Sequence, residues 1–180
     1  MKKSNFMIKS LMGIAVLFMV SCNSDDSISC PADLTGALNA TETEFSGTWI
    51  FTGMMAEEAI DITDDKTDNP NKDVFAQYSA CDRDLVYSFN SDRKYSLKQG
   101  SLASDCNNKE SLAGTWSLTA DNALTFVANC ASQTTKIVMG EEGDTFSYSS
   151  TLTFRDVSGL VKTTKVTFTY TKQEQNETPQ

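Results

Sequence analysis

From residue 45 onward, apolar and polar residues alternate in short runs that are separated by turn residues. Side chains two positions apart in a strand lie on the same face, so each run predicts a strand with one apolar face. The opposite faces are rich in Thr, Ser and Lys. The pattern therefore predicts an all-β fold of antiparallel strands joined by turns. Eight runs show it, at 47–53, 85–89, 95–97, 112–118, 124–126, 137–139, 146–154 and 166–170.

Most aromatic side chains of these runs fall on the apolar faces. Trp49 and Phe51 share a face in the first run, and Phe168 and Tyr170 share one in the last. An open sheet would leave such rings in water, so the sheet must pack on a second sheet or close into a barrel. Eight up-and-down strands form a barrel whose interior is filled by side chains or holds one small ligand. The alternation alone leaves both arrangements open.

The segment between the first two runs departs from the alternation. Residues 54–60 are expected to form a short helix, followed by a polar, acidic loop over 61–73. The loop offers the hard oxygen ligands that calcium prefers, but an EF-hand register places Lys66 or Pro70 where glycine is required. A solvated loop is therefore expected, and no metal site is assigned. The carboxylates concerned are Asp61, Asp64, Asp65, Asp68 and Asp73.

The first 21 residues have the features of an export signal. Three lysines precede or flank an uncharged run over 10–20. This run is much shorter than the roughly 20 residues that a membrane-spanning helix needs. A cleaved signal peptide over 1–21 is therefore expected.

Residues 19–22, Met-Val-Ser-Cys, resemble a bacterial lipobox, although the family usually carries Leu where this chain has Met19. The resemblance implies that Cys22 is acylated, for example with palmitate, and attaches the protein to a membrane. A free cysteine near the start of a secreted protein is the alternative. Residues 23–26, Asn-Ser-Asp-Asp, resemble the acidic export tag of Bacteroidota surface lipoproteins; a solvated acidic linker is the alternative. The expected location is the outer membrane, on its periplasmic face or at the cell surface.

Four further cysteines follow Cys22, at positions 30, 81, 106 and 130. An even number of cysteines in an exported protein indicates disulfides, and four cysteines allow three pairings. We favour Cys81–Cys106, which flanks one predicted hairpin, together with Cys30–Cys130, which would tie the N-terminal segment to the domain. A zinc site is disfavoured because the chain has neither a Cys-x-x-Cys pair nor a histidine.

Gly47-Thr48-Trp49 is similar to the Gly-x-Trp start of lipocalins. Further features resemble the lipocalin-like lipoproteins of Bacteroidota: a cysteine before the second strand, an aromatic hairpin, a second cysteine and Gly114-Thr115-Trp116 on a later strand. The resemblance covers residues 45–171. It implies an antiparallel, eight-stranded, up-and-down, lipocalin-like barrel in which Trp49 closes the floor and Cys81 is bonded to Cys106.

These observations divide the chain into four parts. A signal peptide over 1–21 is followed by an acidic, polar tether over 22–44 with little structure of its own. The lipocalin-like barrel over 45–171 has one short helix or loop insertion after its first strand. Residues 172–180 are expected to form a disordered tail.

The charge and the composition exclude several functions. Residues 1–21 contain three lysines and no acidic residue, so the mature chain has 12 basic and 24 acidic residues and a formal charge of −12. Such a surface repels nucleic acid. Without histidine, Ser-His-Asp and Cys-His arrangements cannot form, and no phosphate-binding loop or dinucleotide motif is present. We expect no enzymatic activity and no cofactor.

Binding is therefore the expected function, either of a small apolar ligand in the barrel or of another envelope protein through the loops. The alternative is a structural or interaction lipoprotein with a filled barrel and no ligand. Tyrosine and tryptophan rings combine an apolar body with one polar group, as a small-ligand site needs. The candidate ligand-binding residues of the barrel interior are Tyr87, Tyr95, Trp116, Tyr148 and Tyr170.

Overall fold

The computed structural model describes residues 29–63, 65 and 67–174. The predicted signal peptide, Cys22 and residues 175–180 lie outside this part of the chain. The described residues form helix α1 (Ala40–Phe45), a 3₁₀ helix (Phe75–Gln77) and ten strands. The strands are β1 (Gly47–Ile60), β2 (Asn71–Asp73), β3 (Leu85–Phe89), β4 (Lys94–Gln99), β5 (Glu110–Leu118), β6 (Ala123–Ala128), β7 (Ala131–Lys136), β8 (Val138–Met139), β9 (Thr145–Arg155) and β10 (Val161–Lys172).

The strands form one antiparallel sheet in the order β7-β6-β5-β4-β3-β1-β10-β9-β8, with β2 paired to β1. The two ends of this order, β7 and β8, are separated in the chain by Ile137 alone. The sheet therefore curls back on itself into a nearly closed barrel. This confirms the predicted all-β, antiparallel barrel. The sheet has nine to ten strands rather than eight. Ile137 divides the strand at which the barrel closes into β7 and β8, and β2 adds a short strand beside β1.

The prediction of a helix over 54–60 is wrong, because β1 continues to Ile60. Met54 pairs with Phe168 of β10 and Ala56 with Val166, and the register shifts between Phe51 and Gly53. This bulge moves the inward positions by one residue, so the alternation read from Trp49 is lost beyond it. Beyond the bulge, pairing with β10 keeps β1 in an extended strand conformation.

Helix α1 begins in the predicted tether, so the expectation of little structure over 22–44 is wrong for residues 40–44. Asn39 caps the helix by accepting a hydrogen bond from the Glu42 N–H at 2.9 Å, and the Glu42 carboxylate accepts one from the Asn39 N–H at 2.8 Å. This reciprocal pair is a capping box. At the other end of the domain, β10 includes Lys172, one residue of the predicted tail. No helix in the described residues is long and apolar enough to cross a membrane.

Both expected disulfides are present. Cys81, before β3, is bonded to Cys106, after β4, with their Cα atoms 5.6 Å apart. Cys30 is bonded to Cys130 in the β6–β7 turn, with a Cα separation of 4.5 Å. The second bond fixes the N-terminal segment to the barrel 100 residues further along the chain.

The barrel has two unlike ends. At the floor, where β1, β4, β6 and β9 begin, the ring of Phe45 contacts four other aromatic rings at centroid distances of 4.9–5.9 Å. The rim is the end at which these four strands finish. Gly47 has φ +131°, a conformation that favours glycine, at the entry to β1. The floor aromatics are Phe45, Trp49, Phe89, Trp116 and Phe146, all at most 2% exposed.

Candidate ligand cavity

A cavity of about 120 Å³ lies inside the barrel, next to the floor aromatics. Tyr95 and Phe126 meet edge to face in its wall at 4.8 Å, and Tyr87 stacks on Phe126 at 5.7 Å. The volume corresponds to about four water molecules at ~30 Å³ each. Sites for drug-sized ligands occupy roughly 300–1,000 Å³. The cavity therefore fits a small molecule or the end of a longer one. It is lined by Tyr87, Tyr95, Leu112, Leu124, Phe126, Gln133, Thr135, Phe146 and Tyr148.

Three of the five candidate residues, Tyr87, Tyr95 and Tyr148, line this cavity. Trp116 and Tyr170 do not. Trp116 is fully buried in the floor, where its indole N–H donates to the Asn90 carbonyl oxygen at 3.2 Å. The Tyr170 ring is 2% exposed and supports the cavity wall from behind, 5.4 Å from Tyr87 and 6.3 Å from Tyr148.

The remaining lining residues were not singled out from the sequence. Phe126 and Phe146 lie on the apolar faces that the alternation identified, and nothing in the pattern separates them from other core residues. Gln133 and Thr135 belong to β7, whose sequence Ala-Ser-Gln-Thr-Thr-Lys has no apolar alternation and predicted no strand. Gln133 and Thr135 add an amide and a hydroxyl to a mainly aromatic wall, and these groups can form hydrogen bonds with the polar end of a ligand.

The tyrosine hydroxyls of the cavity are neutral groups. Burial raises the pKa of Tyr87 strongly, and the neighbouring hydroxyls of Tyr148 and Tyr95 add to this effect. Burial also raises the pKa of Tyr148 and of Tyr95. Each hydroxyl therefore stays protonated at neutral pH and can both donate and accept a hydrogen bond. The cavity favours a neutral ligand, because none of the described residues that line it carries a charge to compensate a buried charge.

The cavity opens where the barrel is incompletely closed. β8 pairs with β9 at Val138–Ser147 and Met139–Phe146, whereas β7 pairs only with β6 in the described sheet. This leaves a seam between β7 and the rim half of β9. Thr135 lines the cavity on the β7 side and Tyr148 lines it on the β9 side, and both are half-buried.

A buried ion pair fixes the floor. The Arg93 guanidinium donates to both carboxylate oxygens of Glu42, at 2.6 and 2.8 Å, and to the carbonyl oxygens of Gly36 and Ala37 at 3.0 and 2.9 Å. The side chains are 11% and 2% exposed. Burial opposes ionisation of Glu42, but hydrogen bonds from Arg93, Asn39 and Leu118 outweigh it and lower the pKa. The pair joins α1 and the segment before it to the barrel.

The acidic loop is exposed at Asp65 and Asp68, as expected, but Asp61 at its start is fully buried. Its carboxylate accepts hydrogen bonds from the Asn69 N–H at 3.0 Å and from the Thr63 N–H and hydroxyl at 3.0 and 2.8 Å. The Asn69 N–H and the Thr63 hydroxyl lower the pKa of Asp61. These groups hold the carboxylate in the loop's own turn. In the described residues, no group of three or more His, Cys, Asp or Glu side chains is placed to hold a metal.

A larger groove of about 420 Å³ lies outside the floor. Its lining is polar and includes Thr43, Asp144 and Lys172. The Lys172 ammonium lies 5.5 Å from the ring centroid of Trp49, a cation–π contact, and burial lowers the pKa of this lysine. The groove is open to solvent, and none of the described residues that line it has an aromatic or large aliphatic side chain, so the tyrosine cavity is the stronger candidate for a ligand site.

Comparison with known protein families gives one match. The model of a family described as a domain of unknown function, DUF5004, matches residues 23–173. The chain belongs to this family. The DUF5004 match begins at residue 23, before α1. None of the curated proteins compared with the chain matches it.

Proposed function

We propose that this DUF5004 protein is a lipid-anchored, lipocalin-like binding protein of the bacterial outer envelope. The small neutral ligand, or the apolar end of a larger one, binds in the tyrosine cavity. The proposal includes no enzymatic activity, no cofactor and no nucleic-acid partner. The observation that carries it is the cavity itself, a space within an otherwise closely packed barrel that is lined by aromatic rings and opens at a seam.

The chemistry of the wall selects the ligand class. Flat aromatic rings form close contacts with the apolar or aromatic groups of a ligand. The hydroxyl groups of Tyr87, Tyr95 and Tyr148 offer hydrogen bonds that orient the ligand. Gln133 and Thr135 lie at the seam, where a ligand's polar end would remain near water. A small phenol or a short alkyl chain satisfies the volume of about 120 Å³.

The lipocalin-like assignment is supported by the floor. Gly47 and Trp49 of the Gly-x-Trp motif lie at the start of β1, and the Trp49 indole N–H donates to the Phe45 carbonyl oxygen at 2.9 Å. The floor cluster then closes one end of an antiparallel barrel. The lipid anchor is supported by the lipobox-like residues 19–22 and by the short polar segment that joins Cys22 to the domain.

Titration with small probes tests the cavity. p-Cresol and toluene are added to the isotopically labelled protein, and the NMR shifts of the Leu112 and Leu124 methyl groups are followed. The Thr135→Phe variant fills the seam side of the cavity and is expected to weaken binding about tenfold, a loss of ~1.4 kcal/mol. Thr134→Phe is the matched control, because Thr134 is the exposed neighbour that pairs with Thr125 on the outer face. If Thr135→Phe and Thr134→Phe bound the probes with equal affinity, the proposed location of the site would be wrong.

Mass spectrometry of the protein extracted from its host membrane tests the anchor. An acylated N-terminal cysteine at position 22 is expected, and the Cys22→Ser variant should leave the membrane fraction. An unmodified Cys22, or a Cys22→Ser protein that stays with the membrane, would refute the anchor and leave the cavity proposal standing.

A second function deserves its own test because the cavity is small. If no probe shifts the methyl groups of Leu112 and Leu124, and native mass spectrometry of protein from its own host finds no bound small molecule, the barrel is a filled scaffold. The protein would then act as a structural or interaction lipoprotein, with another envelope protein bound through its loops.

A further inference from the structure

A second space adjoins the tyrosine cavity on its rim side. It has a volume of about 200 Å³ and meets the cavity at Leu112, which lines both. Leu85 and Leu97 also line it, and we call it the aliphatic space. Together the two volumes exceed roughly 300 Å³, the lower bound for sites of drug-sized ligands. A ligand larger than a phenol can therefore extend from the tyrosine cavity toward the rim.

The sheet register shows which side chains the ligand would meet at the rim. Leu97 pairs with Leu112 at one level of the barrel, and Gln99 pairs with Glu110 at the next level. Residues two apart in a strand share a face and lie about 7 Å apart. Because Leu112 faces the tyrosine cavity, Glu110 faces the same interior one level nearer the rim. Gln99 and Glu110 accordingly line the rim end of the aliphatic space.

This rim end continues into a polar depression of about 370 Å³, which Gln99 and Glu110 also line. Asp82 and Asp105 are the other carboxylates of its wall, and we call it the acidic depression. Among the described residues, no lysine or arginine lines either the aliphatic space or the acidic depression. None of the three carboxylates forms an ion pair within this part of the chain. Negative charge is therefore concentrated where the apolar path ends.

Nearby cationic side chains lie outside the acidic depression. Lys98 alternates with the inward residues of β4 and is exposed on the outer face. The Arg83 guanidinium lies over the ring of Phe75, 5.3 Å from its centroid. Asp84, 7% exposed, adds a carboxylate beside the first residue of β3, and its Oδ1 atom has no hydrogen-bond partner among the described residues. The local field at this end of the barrel thus favours a cation.

From this arrangement we propose that the ligand is an amphiphilic amine, with its apolar body in the tyrosine cavity and the aliphatic space and its ammonium group at Glu110. The inference rests on the proposed ligand-binding function and specifies the ligand class. The neutral end of such a molecule suits the tyrosine cavity, where a charge would be buried without compensation. Its ammonium group stays near water and forms charge-assisted hydrogen bonds with a carboxylate. An anionic amphiphile of the same length would be repelled at the rim.

Octylamine and octanol test the choice of charge, because they share one alkyl chain. Octylamine, like a lysine side chain, is protonated at pH 7. Isothermal titration calorimetry should show about fivefold tighter binding of octylamine, as for a partly exposed ion pair. The Asp105→Asn/Glu110→Gln variant should abolish this difference and leave the affinity for octanol unchanged. Both substitutions keep the side-chain shape, and asparagine tolerates the positive φ of 63° at position 105.

The Glu141→Gln/Glu142→Gln variant is the matched control, because it removes the same net charge from an exposed turn at the floor. It should keep the preference for octylamine. Equal affinities of octylamine and octanol for the wild-type protein would overturn the proposed ligand class. So would a preference that survives the rim variant or is lost in the floor variant.

A Leu85→Phe variant tests whether the aliphatic space belongs to the site. The larger side chain narrows this space but does not line the tyrosine cavity. Octylamine and octanol should bind severalfold more weakly, whereas toluene should bind unchanged, which also shows that the variant is folded. Unchanged binding of the octyl probes, or an equal loss for toluene, would overturn the extended path. If toluene and p-cresol bind the wild-type protein but neither octyl probe does, the ligand class is wrong and the tyrosine cavity stands; if none of the four binds, the proposed function itself fails.

Discussion

The floor of the barrel and the tyrosine cavity are both built from aromatic residues, but they differ in how tightly those residues are held. At the floor, Trp49 and Trp116 are fully buried and each indole N–H donates to a backbone carbonyl oxygen. In the cavity, Tyr87 and Tyr148 are half-buried and line open volume. The floor is therefore closely packed, whereas the rings of the cavity are less tightly packed around open volume, which is the binding site in our proposal.

The largest loss of stability is expected when the ion pair at the floor is broken. Arg93→Ala leaves the Glu42 carboxylate buried without its partner, which costs about 3–5 kcal/mol of unfolding free energy. Urea denaturation measures the change. Lys136→Ala is the control, because its pair with Asp121 is exposed and such pairs contribute about 0–1 kcal/mol. Similar losses in both variants would mean that the floor pair has no special role.

Matched truncations compare the packing of the two regions directly. Phe89 is 1% exposed in the floor cluster, and Phe89→Ala is expected to cost about 3–5 kcal/mol. Phe126 borders the cavity and is half-buried, so Phe126→Ala should cost roughly half as much, because fewer of its contacts are lost. Both changes remove the same atoms, and denaturation at one pH compares them. A larger loss at Phe126 would place the main stabilising core in the cavity wall.

Lowering the pH is expected to reduce the free energy of unfolding less than the Arg93→Ala substitution does. Hydrogen bonds hold the pKa of Glu42 below its unfolded value, so its contribution to stability is complete above the unfolded pKa of about 4.3 and falls as the pH drops through the folded pKa. Hydrogen bonds also lower the pKa of Asp156 and of Asp61, with the same sign. Urea midpoints at pH 7, 5 and 3 measure the effect.

The Glu42→Gln variant separates the pH dependence that Glu42 causes from that of the other carboxylates. It lacks the ionisable group, so its stability should depend less steeply on pH below pH 5 than that of the wild-type protein. Parallel pH profiles for the two proteins would show that Glu42 does not contribute to the acid sensitivity.

The strands were predictable where one face is buried throughout their length. The alternation over 112–118 and 146–154 coincides with β5 and β9, because each of these strands turns one face inward. β7 was missed because its face borders the open seam and needs no apolar residues. Residues 54–60 were assigned to a helix because the bulge after Phe51 breaks the alternation, and only the pairing with β10 shows the strand.

The candidate site was less predictable than the fold. Both disulfides could be inferred from the sequence. Four cysteines, an even number, remain after Cys22, and the predicted hairpin between Cys81 and Cys106 favours one of the three possible pairings. The capping signal of α1, Asn39 followed by Glu42, is present in the sequence but was read as part of a tether. Which inward rings border the cavity depends on the register at which the barrel closes. That register is set by contacts between distant strands, so Trp116 and Tyr170 could not be separated from Tyr87 and Tyr148.

The smallest expected effect on stability is the one most informative about binding. Tyr148→Phe removes one hydroxyl from the cavity wall and should change the free energy of unfolding by no more than about 1 kcal/mol. If that hydroxyl binds the ligand's polar group, p-cresol should bind about fivefold more weakly, the equivalent of ~1 kcal/mol for one hydrogen bond, whereas toluene should bind unchanged. NMR titration of both probes measures the two affinities in the same protein. Equal changes for p-cresol and toluene would mean that Tyr148 contributes shape alone and that its hydroxyl does not bind the polar group of the ligand.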